Sequence, residues 1–127
     1  MRVLRGRQLV EGSAEGEALF VESISFFGDV DVATGALRDG RRLAGRVLVA
    51  LRPRGSTVGS YVIYALKAAG AAPAAVVMSR ADPIVVAGCV LAGVPLVAGV
   101  PEAELRQVRD GQRVRLPGDG TVIVEDA

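Results

Sequence analysis

Histidine is absent from this 127-residue chain and cysteine occurs once. Without histidine there can be no Ser-His-Asp or Cys-His catalysis, no phosphohistidine chemistry and no histidine-rich metal site. The one thiol, Cys89, cannot close an intrachain disulfide, and an iron-sulfur cluster takes about three or four thiolates. Any metal chemistry therefore has to come from another chain. Charge of one sign is also missing: 15 basic residues face 14 acidic ones, a net charge of +1. Nothing in that balance draws nucleic acid or anionic lipid, so neither a nucleic-acid nor a membrane partner is expected. Lysine is nearly absent, since only Lys67 interrupts an otherwise all-arginine basic set. The opening Met1-Arg2-Val3-Leu4-Arg5-Gly6-Arg7 contains no apolar run of signal-peptide length, which makes the cytoplasm the expected location. The stretch from Pro83 to Pro101 lacks charge and is long enough to cross a bilayer. Pro95 together with Gly88, Gly93 and Gly99 breaks it, so it reads as a short helix, a turn and a buried strand.

What is present suits one domain spanning residues 1–127, with half of the side chains apolar. Loose alternation predicts two opening strands, around Val3–Leu9 and Gly16–Glu22, turned antiparallel about Glu11-Gly12-Ser13-Ala14. From Ser23 to Arg42 the pattern is too broken for a long regular element and reads as a functional loop. Arg46–Leu51 is a buried strand. Val58, Val62, Ile63, Ala65, Leu66 and Ala69 then recur at helical spacing, placing a helix over about 57–69 that ends at Gly70. Ala74–Met78 is a strand. Asp82 and Pro83 open a short helix as N-cap and first residue, and Gly93 closes it. Val94–Ala98 comes next as a buried strand, Pro101–Val108 as a helical turn, and Arg113–Leu116 with Thr121–Glu125 as a hairpin across Pro117-Gly118-Asp119-Gly120. The class is α/β with mixed sheets.

Two segments carry candidate chemistry. Gly55-Ser56-Thr57-Val58-Gly59-Ser60 sits where a strand hands over to a helix, and free N–H groups with the helix dipole favour negative charge there. It lacks the lysine and spacing of a Walker A loop, so nucleotide cleavage is not supported. Ser56 or Thr57 would serve the helix as a cap. To act as a general base, a serine needs its alkoxide stabilised by those N–H groups and by a neighbouring cation, either Arg54 or an arginine of another chain. The second segment is Ser25-Phe26-Phe27-Gly28-Asp29-Val30-Asp31. Of the adjacent aromatics one should fill the core and the other suits an interface. Asp29 and Asp31 belong to the class of loop carboxylates that cap turns or face water. Cys89 reads as a small buried residue of the second helix rather than a nucleophile.

Taken in order, Gly16-Glu17-Ala18-Leu19, Ile24-Ser25-Phe26-Phe27-Gly28-Asp29-Val30-Asp31 with Thr34-Gly35, Gly55-Ser56-Thr57-Val58-Gly59-Ser60 and Ala72-Pro73-Ala74-Ala75 resemble the aconitase X swivel domain in its stand-alone form. In archaea that form resembles the small subunit of phosphomevalonate dehydratase. The resemblance implies a swivelling β/β/α domain and a large partner subunit holding an iron-sulfur cluster, expected to be 4Fe-4S. It implies a reaction as well, in which (R)-5-phosphomevalonate loses water to give trans-anhydromevalonate 5-phosphate in an archaeal mevalonate route to isoprenoids. In the wider aconitase superfamily the corresponding loop reads Gly-Ser-Ser-Arg-Glu-His, and its first serine, the catalytic base, aligns with Ser56. Val58 stands where that loop has arginine, which shifts the expected helper cation to a partner's Arg or Lys. On this reading Ser56 takes the proton, while Gly55, Thr57, Gly59 and Ser60 bind an anionic group of the substrate. The C-terminal half also resembles the swivelling phosphohistidine domain, a likeness of fold alone in a chain without histidine. Two other readings are a hydroxyproline dehydratase subunit of the same family and a non-catalytic anion-binding module.

Overall fold

Residues 47–51, Val-Leu-Val-Ala-Leu, carry no polar side chain, and all five are buried in β4 (Val47–Pro53). The neighbouring strands β5 (Ala75–Met78) and β6 (Leu96–Ala98) are buried at every position. Strands without a polar face have to be covered on both sides, as in the parallel centre of a layered α/β domain. They are parallel here, and so is the last part of β3 (Ala14–Ile24), with Leu19, Leu48, Val76 and Leu96 in successive register. At the far edge β2 (Arg7–Val10) runs antiparallel to β6. The computed structural model describes residues 1–55 and 58–126.

A second, antiparallel group branches from the start of β3. Ala14–Glu17 pair with β7 (Arg113–Leu116), β7 pairs with β8 (Thr121–Val124), and β8 pairs with β1 (Arg2–Arg5). The full order is β1-β8-β7-β3-β4-β5-β6-β2, a mixed arrangement. Because successive strand residues point to opposite faces, β4 serves two cores at once. Leu48 and Ala50 face α2 (Gly59–Ala68) and α3 (Pro83–Ala92), packing among Ile63, Leu66, Val85 and Cys89. Val47, Val49 and Leu51 face the other way, towards Leu4, Val114, Leu116, Val122 and Val124 of the antiparallel group. Sheet, sheet and helix layer are thus stacked as the swivelling β/β/α expectation requires.

Several local signals work as read. Asp82 accepts a hydrogen bond from the Val85 N–H at 2.8 Å, Pro83 is the first helical residue, and Gly93 ends α3 with φ of 67°. The helices can approach because Gly88 has no side chain: a Cβ there would stand 3.0 Å from the Ser60 Cα. Residues 113–124 form the expected hairpin, and Glu102–Leu105 forms the helical turn α4. Among the described residues no helix is long and apolar enough to cross a membrane.

Other expectations need correction. The first strand is interrupted at Gly6, whose N–H donates to the Gly120 carbonyl at 2.9 Å. A Cβ on Gly6 would lie 2.5 Å from the Ala98 carbonyl oxygen, so the chain slips between the two sheets only where a side chain is missing. The opening strands do not form a hairpin with each other: β1 pairs with β8, β2 with β6, and β3 with β7 and β4. Alternation shows which face is buried but not which strand lies alongside. Helix α2 begins at Gly59, and its buried stripe is Gly59, Val62, Ile63 and Leu66, with Val58 exposed. The 23–42 loop contains the single turn α1 (Phe26–Asp29), capped by Ser25, and two isolated bridges, Val30 to Leu37 and Ala36 to Arg42. Arg41 fastens it to the body by donating to the Phe20 carbonyl at 3.0 Å and to Asp110 at 2.8 Å.

The branch point of the sheets sets a stability prediction. A Cβ at Gly16 would lie 2.4 Å from the Gly45 carbonyl oxygen, a backbone atom with little freedom to move. Gly16→Ala is expected to destabilise the fold by about 1–3 kcal/mol, and Asp82→Ala by about 1 kcal/mol through loss of the cap, both read by denaturant titration.

Candidate active site

Parallel strands that run side by side end side by side, and the carboxyl ends of such strands are where α/β sheets generally receive ligands. Ile24 at the end of β3 is in register with Pro53 at the end of β4. Beyond them the chain continues into α1 on one side and into Arg54 and Gly55 on the other. Beyond β5 it reaches Asp82 and the first turn of α3. Ile24, Phe26, Pro53, Arg54, Gly59, Asp82 and Ile84 meet around one narrow crevice. The two segments that the sequence singled out are therefore neighbours.

Their connection is a charged clamp. The Arg54 Nε donates to Ser23 Oγ at 2.9 Å, its Nη2 donates to Asp29 Oδ2, and its backbone N–H donates to the Ile24 carbonyl at 2.8 Å. Asp29 Oδ2 also accepts from the Ser25 N–H at 2.9 Å, which ties the carboxylate to α1. Arg38 approaches the other Asp29 oxygen at 4.0 Å while its guanidinium donates to the Gly28 carbonyl. The Arg54 side chain is 55% exposed and that of Asp29 22%. A pair so open to water contributes on the order of 0–1 kcal/mol to folding, so its consequence is geometric: it fixes a guanidinium beside the loop.

Ser56 and Thr57 lie outside the described residues. On the near side of them, no atom of the described residues beyond its chain neighbours comes within 4 Å of a Cβ added at Gly55. On the far side Val58 holds the N-cap position of α2, and a valine side chain accepts no hydrogen bond. The first-turn N–H groups, those of Gly59 and Ser60 among them, lack acceptors within the helix itself. Gly59 is buried, and an added Cβ would come within 3.3 Å of Ile84, while Ser60 is half-buried against α3. Arg54, one of the cations expected to help the serine, already uses two of its N–H groups on Ser23 and Asp29. Asp31 accepts from the Ala33 N–H at 2.9 Å, the turn role expected of a loop carboxylate. Phe26 is buried and Phe27 is 64% exposed, which divides the two aromatics as expected.

Nothing among the described residues gathers three or more His, Cys, Asp or Glu side chains that could hold a metal ion. Cys89 is fully buried, and burial pushes its thiol up to about 12, so it is no thiolate donor at neutral pH. The donor set of these residues does not fit an iron-sulfur cluster. Sequence reasoning missed the Asp29–Arg54–Ser23 clamp. Its members are 25 and 31 positions apart, and the parallel register of β3 and β4 is what brings them together.

Two stacked sheets and a helix layer define a swivelling β/β/α domain. The family model of the aconitase X swivel domain matches residues 3–124, and the chain belongs to that family. It is 57% identical over 126 residues to the phosphomevalonate dehydratase small subunit of Aeropyrum pernix, covering 98% of this chain and 96% of the relative. The phosphomevalonate dehydratase small subunit of Thermococcus onnurineus is 45% identical, with 97% and 98% covered. A crystal structure of Thermococcus kodakaraensis aconitase X in its holo-form superimposes with a TM-score of 0.92 at 38% identity, covering 99% of this chain and all of that one.

The environment of Cys89 makes a simple test. A thiol reagent at pH 8 should leave the folded chain unlabelled and should label it on unfolding. Because the folded pKa is raised from 9.0 to about 12, the unfolded thiol ionises first. Stability from this group should therefore fall as pH rises from about 9 to 12, measured as a lowered denaturation midpoint.

Proposed function

We propose that this chain is the small subunit of a phosphomevalonate dehydratase, acting with a large subunit to convert (R)-5-phosphomevalonate to trans-anhydromevalonate 5-phosphate and water. The observation that carries this reading is the 57% identity to a relative of that name across nearly all of both chains. The placement of Arg54, Gly55 and Gly59 at the carboxyl ends of parallel strands supports it, since that edge is where a reacting group can meet a ligand held by another body. The setting is the cytoplasm and the archaeal mevalonate route.

Dehydration of a β-hydroxy acid removes a weakly acidic proton beside a carboxylate and expels hydroxide, so it needs a base and an electrophile on different sides. In this reading Ser56 is the base. The N–H groups opening α2 lower the cost of its alkoxide, and a partner's Arg or Lys completes that stabilisation. Gly55, Thr57, Gly59 and Ser60 receive an anionic group of the substrate. The electrophile belongs to the large subunit as an iron-sulfur cluster, and no residue of this chain ligates it. Phe27, exposed beside the same edge, is the aromatic anchor for that subunit.

The first experiment is anaerobic co-purification of the chain from its host, followed by assay of the eluate for phosphomevalonate dehydration. A cysteine-bearing large chain and turnover are expected, with no turnover by the small chain alone. Loss of a general base lowers kcat by roughly 10²–10⁴-fold, which is the expectation for Ser56→Ala in a complex that still assembles. Full turnover by that variant removes Ser56 from the mechanism, and turnover of a hydroxyproline in place of phosphomevalonate redirects the substrate. Phe27→Ser should weaken recovery of the large chain without lowering the melting temperature of the small one.

A further inference from the structure

Among the described residues Arg54 is gripped along one edge. Its Nε and Nη2 point to Ser23 Oγ and Asp29 Oδ2, the side edge of the guanidinium plane. The end edge, Nη1 with the second Nη2 proton, meets no acceptor among the described residues, and the side chain is 55% exposed. Arg54 directly follows β4 at its carboxyl end. Asp29 balances only part of the local charge, because Arg38 and Arg54 both turn to it. Asp82, which lines the same crevice, is engaged as the N-cap of α3, and the clamp leaves one planar fork already oriented.

A guanidinium end edge matches two oxygens of a carboxylate or phosphate, and holding it in place beforehand removes the side-chain entropy that binding would otherwise cost. We propose that Arg54 binds an oxyanion of the substrate through this end edge, and that Asp29 and Ser23 are positioning residues that aim it. The inference rests on the dehydratase reading above and adds to it a charged side chain that joins residues 55, 57, 59 and 60 in holding a substrate oxyanion, and the pair that orients that side chain.

Steady-state kinetics of the assembled two-subunit enzyme test it. Losing a charge-assisted hydrogen bond to substrate is expected to raise KM roughly 10-fold or more in Arg54→Lys, with kcat changed less than about threefold. Asp29→Asn should raise KM in the same way while the melting temperature of the complex stays unchanged. The double variant should be no worse than Arg54→Lys, because Asp29 acts through Arg54. Should Asp29→Asn fail to assemble, Ser23→Ala removes the Nε acceptor alone and is expected to raise KM about threefold.

Competitive inhibition identifies which oxyanion is held. If Arg54 holds phosphate, inorganic phosphate inhibits Asp29→Asn more weakly than wild type while mevalonate, which has the carboxylate without the phosphate, inhibits both equally. If it holds the carboxylate, the pattern reverses. Unchanged KM and unchanged inhibition by both probes in Asp29→Asn and Ser23→Ala would overturn the proposal, as would additive losses in the double variant. A wild-type complex that binds and turns over no phosphomevalonate overturns the dehydratase reading and this inference together, whereas an active wild type with indifferent variants overturns the inference alone.

Discussion

Backbone hydrogen bonds from β3 run into two sheets along one continuous stretch of chain. Its first residues, from Ala14 to Glu17, pair antiparallel with β7, and from Ala18 onward it pairs in parallel with β4. The change of partner happens beside Gly16, where the Gly45 carbonyl comes too close for any side chain. Ala18 and Leu19, just past the switch, are fully buried and belong to different cores, Ala18 between the sheets and Leu19 beneath the helices. One strand thus sets the separation of the sheets and the direction in which β3 delivers its carboxyl end.

That end is where the candidate site lies. Parallel pairing brings Ile24 level with Pro53, so the segments leaving β3 and β4 emerge side by side. One of them bears a carboxylate on a one-turn helix, and the other an arginine at the start of a serine loop. A half-exposed ion pair of this kind does little for stability, which leaves orientation as its physical consequence. The same exposure that makes the pair weak in folding leaves the guanidinium open to a ligand.

The chain also leaves things out. It has no histidine and a single buried thiol, and its described residues offer no donor set for a metal electrophile. Membership of the aconitase X swivel family, with relatives named as small subunits, accords with a division of labour between two chains.

Some of this was determined by sequence alone, for reasons that are local. Asp82, Pro83 and Gly93 bracket α3 because a cap, a fixed φ and a left-handed closing residue each act within one helical turn. The apolar run at 47–51 reads as a buried strand and forms one, and Cys89, read as a small buried residue of the second helix, is buried there. The strand-to-helix hand-over was legible too, with β4 ending at Pro53 and α2 beginning at Gly59, while Ser56 and Thr57 between them lie outside the described residues. Tertiary structure decided the rest. That β1 lies against β8 rather than β2, that Gly6 is a crossing point between sheets, and that Asp29 and Ser23 hold Arg54 all depend on partners far apart in the chain. Hydrophobic periodicity specifies which face of an element is buried. Which element lies beside it is set by how all the faces pack together, and that information is not carried by any one segment.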